Sequence, residues 1–328
     1  MSVASTRISL LGGGKMKPKA GLEGAVIPTA IIVVVLAACS PAPSGCEPPP
    51  QLPTLGGGLL TAPPPNPSAG DAFISAADGM TLVYVPGGTF LMGAKDGDPF
   101  SHPSERPAHE VQISPFWIDR TEITNATYAE CVAAGACDPP AEDGSYGRAR
   151  YFTEASCADY PVVHVQWYDA ENYCRWAGRR LLTEAEWELA ARGTDGRLYP
   201  WGSEAPSGDQ ANFCDGNCPA EDRDESVNDG YAGEAPSEAF PDGASPYGVL
   251  NMAGNVWEWV TDWSGVSYYA QSPRVNPTGP ESGEAKVLRG GSWLNNAIVV
   301  LSSSRNAALP EVEGEAIGFR CGVSDISD

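Results

Sequence analysis

The second half of this 328-residue chain contains no long segment with the hydrophobic period of a helix or a strand. From Gly193 onward the sequence is rich in Gly, Pro, Asp and Asn, with tryptophans scattered between them. Regular hydrogen-bond ladders alone cannot hold such a segment together. Buried aromatic side chains, disulfides or bound ions are the usual substitutes. We therefore expect a loop-rich fold that depends on these devices.

Regular elements are predicted mainly before Gly193. Helices should each end at a glycine, and short apolar runs around glycine-rich turns indicate strands. The expected helices are 124–134, 169–177 and 183–192, and the expected strands are 80–85, 89–92, 111–113 and 116–118. Thr183 and Glu186 have the spacing of a capping box at the start of the last helix.

The charge of the chain limits its partners. A formal net charge of −22 without any run of Lys or Arg excludes nucleic-acid binding, because phosphates would be repelled. Acidic balance commonly serves solubility, and it also leaves carboxylates for cations such as calcium. Low-complexity sequence occupies the start of the chain, so we expect one folded unit of roughly 250 residues.

The N-terminal region has the order of a secretory signal, with basic residues before an apolar stretch. Lys15, Lys17 and Lys19 precede the apolar residues 25–38, a stretch too short to span a membrane comfortably. The stretch ends in Leu-Ala-Ala-Cys39, which resembles a bacterial lipobox, whose cysteine is lipidated and becomes the mature N-terminus. An ordinary signal peptide, or a membrane anchor with Cys39 incidental, is the alternative.

We accordingly predict three regions: a lipoprotein signal peptide at 1–38, a tether at 39–71 and a folded domain at 72–328. Ten prolines and few large apolar side chains make residues 40–71 unable to form a core, so they read as a semi-rigid stalk. The expected location is the bacterial cell envelope, with the membrane contacted through the lipid. Ser40 favours the outer membrane, and the membrane face stays open.

Seven segments further along the chain share the pattern of one family. They are Val85-Pro-Gly-Gly-Thr-Phe-Leu-Met-Gly, Glu122-Ile-Thr-Asn, Pro161-Val-Val-His-Val-Gln-Trp, Trp176-Ala-Gly-Arg-Arg-Leu-Leu-Thr-Glu-Ala-Glu-Trp-Glu, Asn251-Met-Ala-Gly-Asn-Val-Trp-Glu-Trp, Arg289-Gly-Gly-Ser-Trp and Gly318-Phe-Arg-Cys. They resemble the formylglycine-generating, or sulfatase-modifying factor, family from residue 80 to about 323. The resemblance implies an α+β fold, a variant of the C-type-lectin-like fold with much irregular loop.

The resemblance also implies two structural calcium sites. At the first, the matching residues are Asn212, Phe213, Asp229 and Tyr231; at the second, they are Asn251, Gly254, Val256 and Glu258. Both sets mix side-chain and main-chain oxygens, the hard ligands that calcium prefers. The alternative is that Asn251 and Glu258 cap turns while the neighbouring tryptophans form core.

Active oxidases of this family carry two cysteines after the Arg-Gly-Gly-Ser element, and these bind copper(I), a soft ion that requires thiolates. The matching positions here are Asn295 and Val300, and no cysteine lies between Ser292 and Arg320. We therefore expect no copper and no cysteine-based oxidation at this place.

The cysteines are expected to form structural disulfides, because the chain is predicted to be exported. Cys214 and Cys218 flank a small loop and suit a bridge better than a reactive or metal-binding pair. The family resemblance pairs Cys174 with Cys321. Cys131 and Cys137 can bridge across a helix end, whereas Cys157 can pair with either of them or with Cys46, which sequence does not decide.

Polar residues of the predicted groove are Arg289, Ser292, Asn295, Asn296 and Arg305, which either bind a ligand or support turns. The histidines are His102, His109 and His164, and their spacing does not suggest a three-histidine metal site. We expect His164 to be a hydrogen-bonded core residue in a strand-like run.

Two functions remain. The first is a non-catalytic or divergent binding module whose groove takes a peptide, a glycan or an envelope protein. The second is an enzyme of the same class that acts on an exported protein without the usual cysteine pair. The fold hosts both, so a convergent set of polar groups in the groove would have to distinguish them.

Overall fold

The computed structural model describes residues 45–47, 60–95 and 99–325. The predicted signal at 1–38, Cys39 and most of the predicted tether lie outside these ranges. Within them, no helix combines the length and the apolar character needed to cross a bilayer.

Short strands and three helices make up the regular structure of the described residues. The strands are β1 (Ala72–Ile74), β2 (Thr81–Val85), β3 (Gly88–Met92), β4 (His109–Ile113), β5 (Phe116–Asp119), β6 (Arg180–Leu181), β7 (Trp257–Trp263), β8 (Lys286–Arg289), β9 (Arg305–Ala308), β10 (Ile317–Phe319) and β11 (Cys321–Ser324). The helices are α1 (Asn125–Ala133), α2 (Trp167–Trp176) and α3 (Glu184–Arg192). Much of the remaining chain is irregular, so the expected α+β, C-type-lectin-like class is confirmed.

The strands form three sheets. A five-stranded antiparallel sheet has the order β1-β2-β5-β11-β6. A four-stranded sheet has the order β10-β7-β8-β9, in which only β10 and β7 run parallel. Strands β3 and β4 form a separate antiparallel pair. The predicted groove residues belong to the second sheet, since Arg289 ends β8, Arg305 begins β9 and the others lie in the loop between these strands.

The strands at 80–85 and 89–92 do form, but they do not pair with each other. Strand β2 pairs with β1 and β5, whereas β3 pairs with β4. The change of sheet occurs at Gly87, which has a positive φ of 71°. A Cβ at Gly87 would lie 2.5 Å from the Ile113 carbonyl oxygen, so only glycine allows the two strand pairs to approach this closely.

The three predicted helices are present within two residues of their expected ends. At α3, the Glu186 amide donates to Thr183 Oγ1 at 3.2 Å and the Thr183 amide donates to Glu186 Oε2 at 2.8 Å, so the predicted capping box is confirmed. Helix α1 has a similar reciprocal cap between Thr124 and Thr127.

Aromatic side chains fill the interior between the helices and the sheets. The rings of Tyr128 in α1 and Tyr173 in α2 stack at 5.7 Å, and Phe319 contacts both edge-on. Four tryptophans are almost fully buried: Trp117, Trp187, Trp259 and Trp293. These rings supply much of the apolar area that the short strands cannot.

Four disulfides join eight of the nine cysteines of the chain. Cys174–Cys321, Cys214–Cys218 and Cys131–Cys137 are the expected pairs. The structure answers the open question of Cys157, because this residue forms a disulfide with Cys46, 111 positions earlier in the chain. The first cysteine of that bridge belongs to the predicted tether, so the tether is attached to the domain well before residue 71.

One local expectation is wrong. His164 does not lie in a strand, because residues around it have no ladder partners and its own φ is 56°. Its side chain is half-buried at the edge of a cleft with Glu142, Arg148 and Glu315, and burial lowers the pKa of the imidazole.

Candidate functional site

The loop at 290–304 joins β8 to β9 and carries Asn295 and Val300, the two residues that the sequence analysis matched to the family's cysteines. It begins with Gly290 and Gly291, whose φ values are 95° and 75°. A Cβ at Gly291 would lie 2.7 Å from Cγ1 of Val300, so the glycine lets the loop fold back on itself. Val300 is thereby fully buried beneath the start of its own loop.

Asn295 is held inside the same loop by hydrogen bonds. Its Oδ1 accepts from the Ser292 amide at 3.0 Å and from Ser292 Oγ at 2.8 Å. Its carbonyl accepts from the Cys214 amide at 2.8 Å, which joins the loop to the Cys214–Cys218 segment. The Asn295 side chain therefore supports the loop.

Arg289 and Arg305, expected in the groove, point into the interior. The Arg289 side chain is fully buried, and its guanidinium donates to Glu188 at 2.6 Å and to the carbonyls of Ser302, Ser303 and Ser304. Arg305 forms two hydrogen bonds to Glu184, at 2.8 and 2.7 Å. Because buried arginines need several acceptors, the two residues hold the loop onto α3 and do not line its surface.

The most exposed side chain of the loop is apolar. Ile298 is 39% exposed, and Asn296 uses its Oδ1 to accept from the Ile298 amide at 3.2 Å. Leu198, 42% exposed, lies next to this loop, since its carbonyl accepts from the Ser302 amide at 2.9 Å. Trp201 is half-buried and packs against the cluster that contains Val300 and Leu301 of the loop. We call Leu198, Trp201 and Ile298 together the rim of the loop.

The Trp201 ring is supported by a stacked tyrosine ring. Its ring stacks on Tyr199 with centroids 5.0 Å apart and planes 2° from parallel, and the Tyr199 hydroxyl donates to the Ala297 carbonyl at 3.0 Å. These rim residues were missed by the sequence analysis. The Tyr-Pro-Trp-Gly run at 199–202 was a visible signal, but nothing in the sequence placed it beside residues 290–304.

The first calcium set has a side chain that lacks a partner. Asn212 is buried, and its Oδ1 has no hydrogen-bond partner among the described residues, while its amide nitrogen donates to the Gly233 carbonyl and to Asn255 Oδ1. Burial and the neighbouring Asp215 raise the pKa of the Asp229 carboxyl to about 8. A cation would relieve both conditions, so the donor set fits calcium.

Asp215 was not anticipated from sequence. Asp215 is fully buried, and its Oδ2 accepts a hydrogen bond from the backbone amide of Asp229. In the described part of the chain, neither the Asp215 carboxyl nor the Asp229 carboxyl has an ion-pair partner. Asp215 follows Cys214 directly, so the short disulfide loop positions an additional negative charge next to the first calcium set.

The second calcium set is already occupied by protein contacts. Both oxygens of Glu258 accept from Arg320 at 2.7 Å, and Oε2 also accepts from Trp187 Nε1 at 2.7 Å. The amide nitrogen of Asn251 donates to Glu122 at 3.0 Å. Of the two buried carboxylates here, Glu258 and Glu122, the first is already neutralised by Arg320. The second calcium set therefore fits a cation less well than the first.

The two sets are packed directly against each other. The Asn255 amide donates to the Asn212 carbonyl at 2.8 Å, and a Cβ at Gly254 would lie 2.0 Å from that same oxygen. Val256, two residues on, is fully buried. Within the described ranges, no three His, Cys, Asp or Glu side chains are grouped as a metal centre would require.

Two clefts lie outside the loop. The larger, of about 610 Å³, is lined by polar and charged side chains that include Arg175, Arg180 and Asn276, and none of its lining residues belongs to 290–304. The smaller, of about 370 Å³, includes His164 and Arg148. The three histidines thus stay apart, with His102 bonded to Ser104 and His109 packed on Tyr269.

Comparisons with known proteins agree with this architecture. The family model for the sulfatase-modifying factor enzyme 1-like domain matches residues 71–325. The formylglycine-generating enzyme of Thermomonospora curvata is 39% identical over 285 residues, which cover 73% of this chain and 92% of that protein. The inactive C-alpha-formylglycine-generating enzyme 2 of Mus musculus is 32% identical over 286 residues, which cover 74% of this chain and 85% of that protein.

Among solved structures, PvdO from Pseudomonas aeruginosa superposes with a TM-score of 0.66 at 28% identity, over 79% of this chain and 100% of that chain. Proteins named as active and as inactive are thus both similar to this chain, so overall similarity does not decide whether it is catalytic. The chemistry of the 290–304 loop has to decide that.

Proposed function

We propose that this protein, which belongs to the sulfatase-modifying factor enzyme 1-like family, is a lipid-anchored module of the bacterial cell envelope that binds a partner without the cysteine and copper chemistry of formylglycine generation. The observation that carries the proposal is the make-up of the 290–304 loop. Its two key positions hold an amide and a buried isopropyl group where active oxidases of the family have thiols.

Copper(I) does not fit this donor set. The ion requires soft thiolate ligands, whereas Asn295 offers an amide oxygen already bonded to Ser292, and Val300 offers no donor atom. Neither side chain can exchange with a substrate thiol. The loop is also held by the hydrogen bonds of Arg289 to its carbonyls and by the close approach of Gly291 to Val300.

A binding role is supported by the rim of Leu198, Trp201 and Ile298. Exposed apolar side chains around a rigid aromatic base are typical of surfaces that receive an apolar side chain of another protein. We propose a peptide segment of an envelope protein as the partner, in preference to a glycan, because two of the three rim residues are aliphatic.

The first test concerns catalysis. Incubation of the protein with copper and a peptide that contains the Cys-Xaa-Pro-Xaa-Arg sulfatase signature should give no formylglycine, as measured by the mass of the peptide. An active formylglycine-generating enzyme serves as the positive control. Detection of the aldehyde above background would contradict the proposal.

An enzyme that acts on an exported protein by another chemistry is the second candidate. The observation in its favour is the smaller cleft, where His164, Glu142 and Glu315 lie beside Arg148. A Tyr146–Trp293 ring contact at 4.9 Å connects this cleft to the loop. Loss of a co-expressed envelope protein's modification in a His164→Gln variant, with binding unchanged, would favour this candidate.

Export and lipidation are supported by the cysteine count as well as by the apolar stretch at 25–38. Eight of the nine cysteines are paired with each other, which leaves Cys39 without an intramolecular partner. An unpaired cysteine in an exported protein needs an explanation, and thioether linkage to diacylglycerol supplies one.

The second test concerns the anchor. Replacement Cys39→Ala should move the protein from the membrane fraction to the soluble fraction, because the lipid is the only proposed membrane contact. Cys39→Ser should behave in the same way. A protein that stays in the membrane fraction in both variants would show that lipidation of Cys39 is not the anchor.

A further inference from the structure

The tether is fastened to the domain earlier than its composition predicts. Cys46 forms a disulfide with Cys157 and is only 8% exposed. The backbone of the next residue, Glu47, makes two hydrogen bonds with the Tyr160 hydroxyl, which accepts from the amide at 2.9 Å and donates to the carbonyl at 3.1 Å. A covalent bond and two polar contacts thus hold this segment in place.

The surface that receives Cys46 is a well-packed part of the domain. The Arg148 guanidinium lies 5.0 Å above the Tyr160 ring and pairs with the fully buried Glu234 at 2.8 Å. The Tyr151 hydroxyl donates to the Pro161 carbonyl at 2.7 Å. The buried residues that pack together here are Cys46, Tyr151, Cys157, Tyr160, Val163 and Val256. Cys46 is therefore attached to the core and not to a peripheral loop.

Chain length then limits how far the domain can stand from the lipid. Cys46 follows Cys39 by seven residues, which at full extension span no more than about 25 Å. The next described attachment is Leu60, whose carbonyl accepts from the Ile74 amide at 2.7 Å. Leu60 follows Cys39 by 21 residues, and without the disulfide this length could span up to about 75 Å.

We propose that the Cys46–Cys157 disulfide shortens the lipid tether to seven residues and holds the face of the domain around Cys157 next to the headgroups of the bilayer. This inference rests on the proposed lipidation of Cys39. The strong negative charge of the protein would repel anionic headgroups. Covalent shortening is thus what keeps the domain near the surface.

Proximity also narrows the choice of partner. A domain of this size is about 45 Å across and the tether adds up to about 25 Å, so the rim of Leu198, Trp201 and Ile298 lies within about 70 Å of the bilayer. A partner that reaches the rim is then either anchored in the same membrane or extends close to it. A long, unattached stalk would impose no such limit.

Energy transfer between the domain and the membrane measures this separation. The lipidated full-length protein is placed in phosphatidylcholine vesicles with an acceptor dye on the headgroups, and a donor dye is attached through a non-natural amino acid in place of the exposed Ser156. A flexible Gly/Ser insertion of about 20 residues, which adds about 25 Å of root-mean-square reach, is then made at one of two places.

The two insertions have opposite expected results. Placed between Ser44 and Gly45, on the lipid side of the disulfide, the insertion should lower the transfer efficiency at least about twofold, because the reach roughly doubles. Placed after Pro50, on the other side, it should leave the efficiency unchanged as long as the disulfide is intact. The double variant Cys46→Ser/Cys157→Ser should lose transfer like the first insertion, whereas the control Cys131→Ser/Cys137→Ser should not.

The possible results distinguish a failure of the shortened tether from a failure of the proposed lipidation of Cys39. Equal transfer for the two insertions, with the disulfide verified by mass spectrometry, would overturn the shortened tether while leaving lipidation intact. A wild-type protein without lipid on Cys39 would overturn the proposed anchor and this inference with it. Because the insertions leave all four disulfides in place, they remain informative if the double variant fails to fold.

Discussion

At the residue scale, Asn295 and Val300 both contribute to the fold of the 290–304 loop. Asn295 keeps its oxygen bonded to Ser292, and Val300 fills the space under Gly291. Both side chains support the loop, one by hydrogen bonding and the other by packing.

Glu105 gives a prediction at the same scale. It is a buried carboxyl whose pKa is raised to about 7 by desolvation, against an opposing effect of Arg289. A folded-state pKa above the unfolded value means that the stabilising contribution is complete below about pH 4.5 and is lost as the pH rises through 7. Glu105→Gln should therefore raise stability at pH 8 by no more than about 3 kcal/mol and flatten the dependence on pH.

Thermal unfolding at several pH values between 4 and 8 measures this effect. The exposed Glu110 provides the matched control, since Glu110→Gln makes the same chemical change at the surface and should alter the stability by less than about 1 kcal/mol. Identical slopes for the Glu105→Gln variant and the wild type would contradict the assignment.

At the element scale, the 290–304 loop depends on α3. This helix is buried along its whole length and supplies Glu184 and Glu188 to the arginines that end β8 and begin β9. The capping box at Thr183 fixes where α3 begins, and hence where the two carboxylates stand. Local sequence signals at the helix thus position a loop that is distant in sequence.

Arg289→Met should be strongly destabilising. It removes the donors to three loop carbonyls and weakens the compensation of the buried Glu188, a change that typically costs about 3–5 kcal/mol. Urea unfolding measures the loss. The exposed pair of Arg223 and Glu225 offers a control, because Arg223→Met should cost less than about 1 kcal/mol. Similar losses in the two variants would mean that Arg289 does not anchor the loop.

At the scale of the whole molecule, disulfides and buried aromatic rings take the place of long helices and strands. The Cys174–Cys321 bridge ties the last strand to α2, and Cys46–Cys157 ties the tether to the core. The proposed calcium site near Asn212 would complete this set, since it joins the 212–231 region to the loop around Gly254.

Removal of calcium tests the proposed calcium site near Asn212. A chelator should lower the melting temperature, because saturation at about 100 times the dissociation constant contributes about 2.7 kcal/mol. In the double variant Asn212→Ala/Asp229→Asn the chelator should have little further effect, whereas the exposed Asp222→Asn variant should respond like the wild type. A melting temperature that the chelator leaves unchanged in the wild type would rule against bound calcium.

The sequence by itself determined the local and compositional properties of this protein. The capping box at Thr183 and the glycine after each helix predicted the helices, and motifs such as Arg289-Gly-Gly-Ser-Trp identified the family, because each is a matter of neighbouring residues or of residue type. Only the tertiary structure decided which strands pair, that Arg289 and Arg305 point inward, that Leu198 and Trp201 border the loop, and that Cys46 joins Cys157. These contacts connect residues far apart in the chain, and their energies depend on burial, which a linear pattern does not specify.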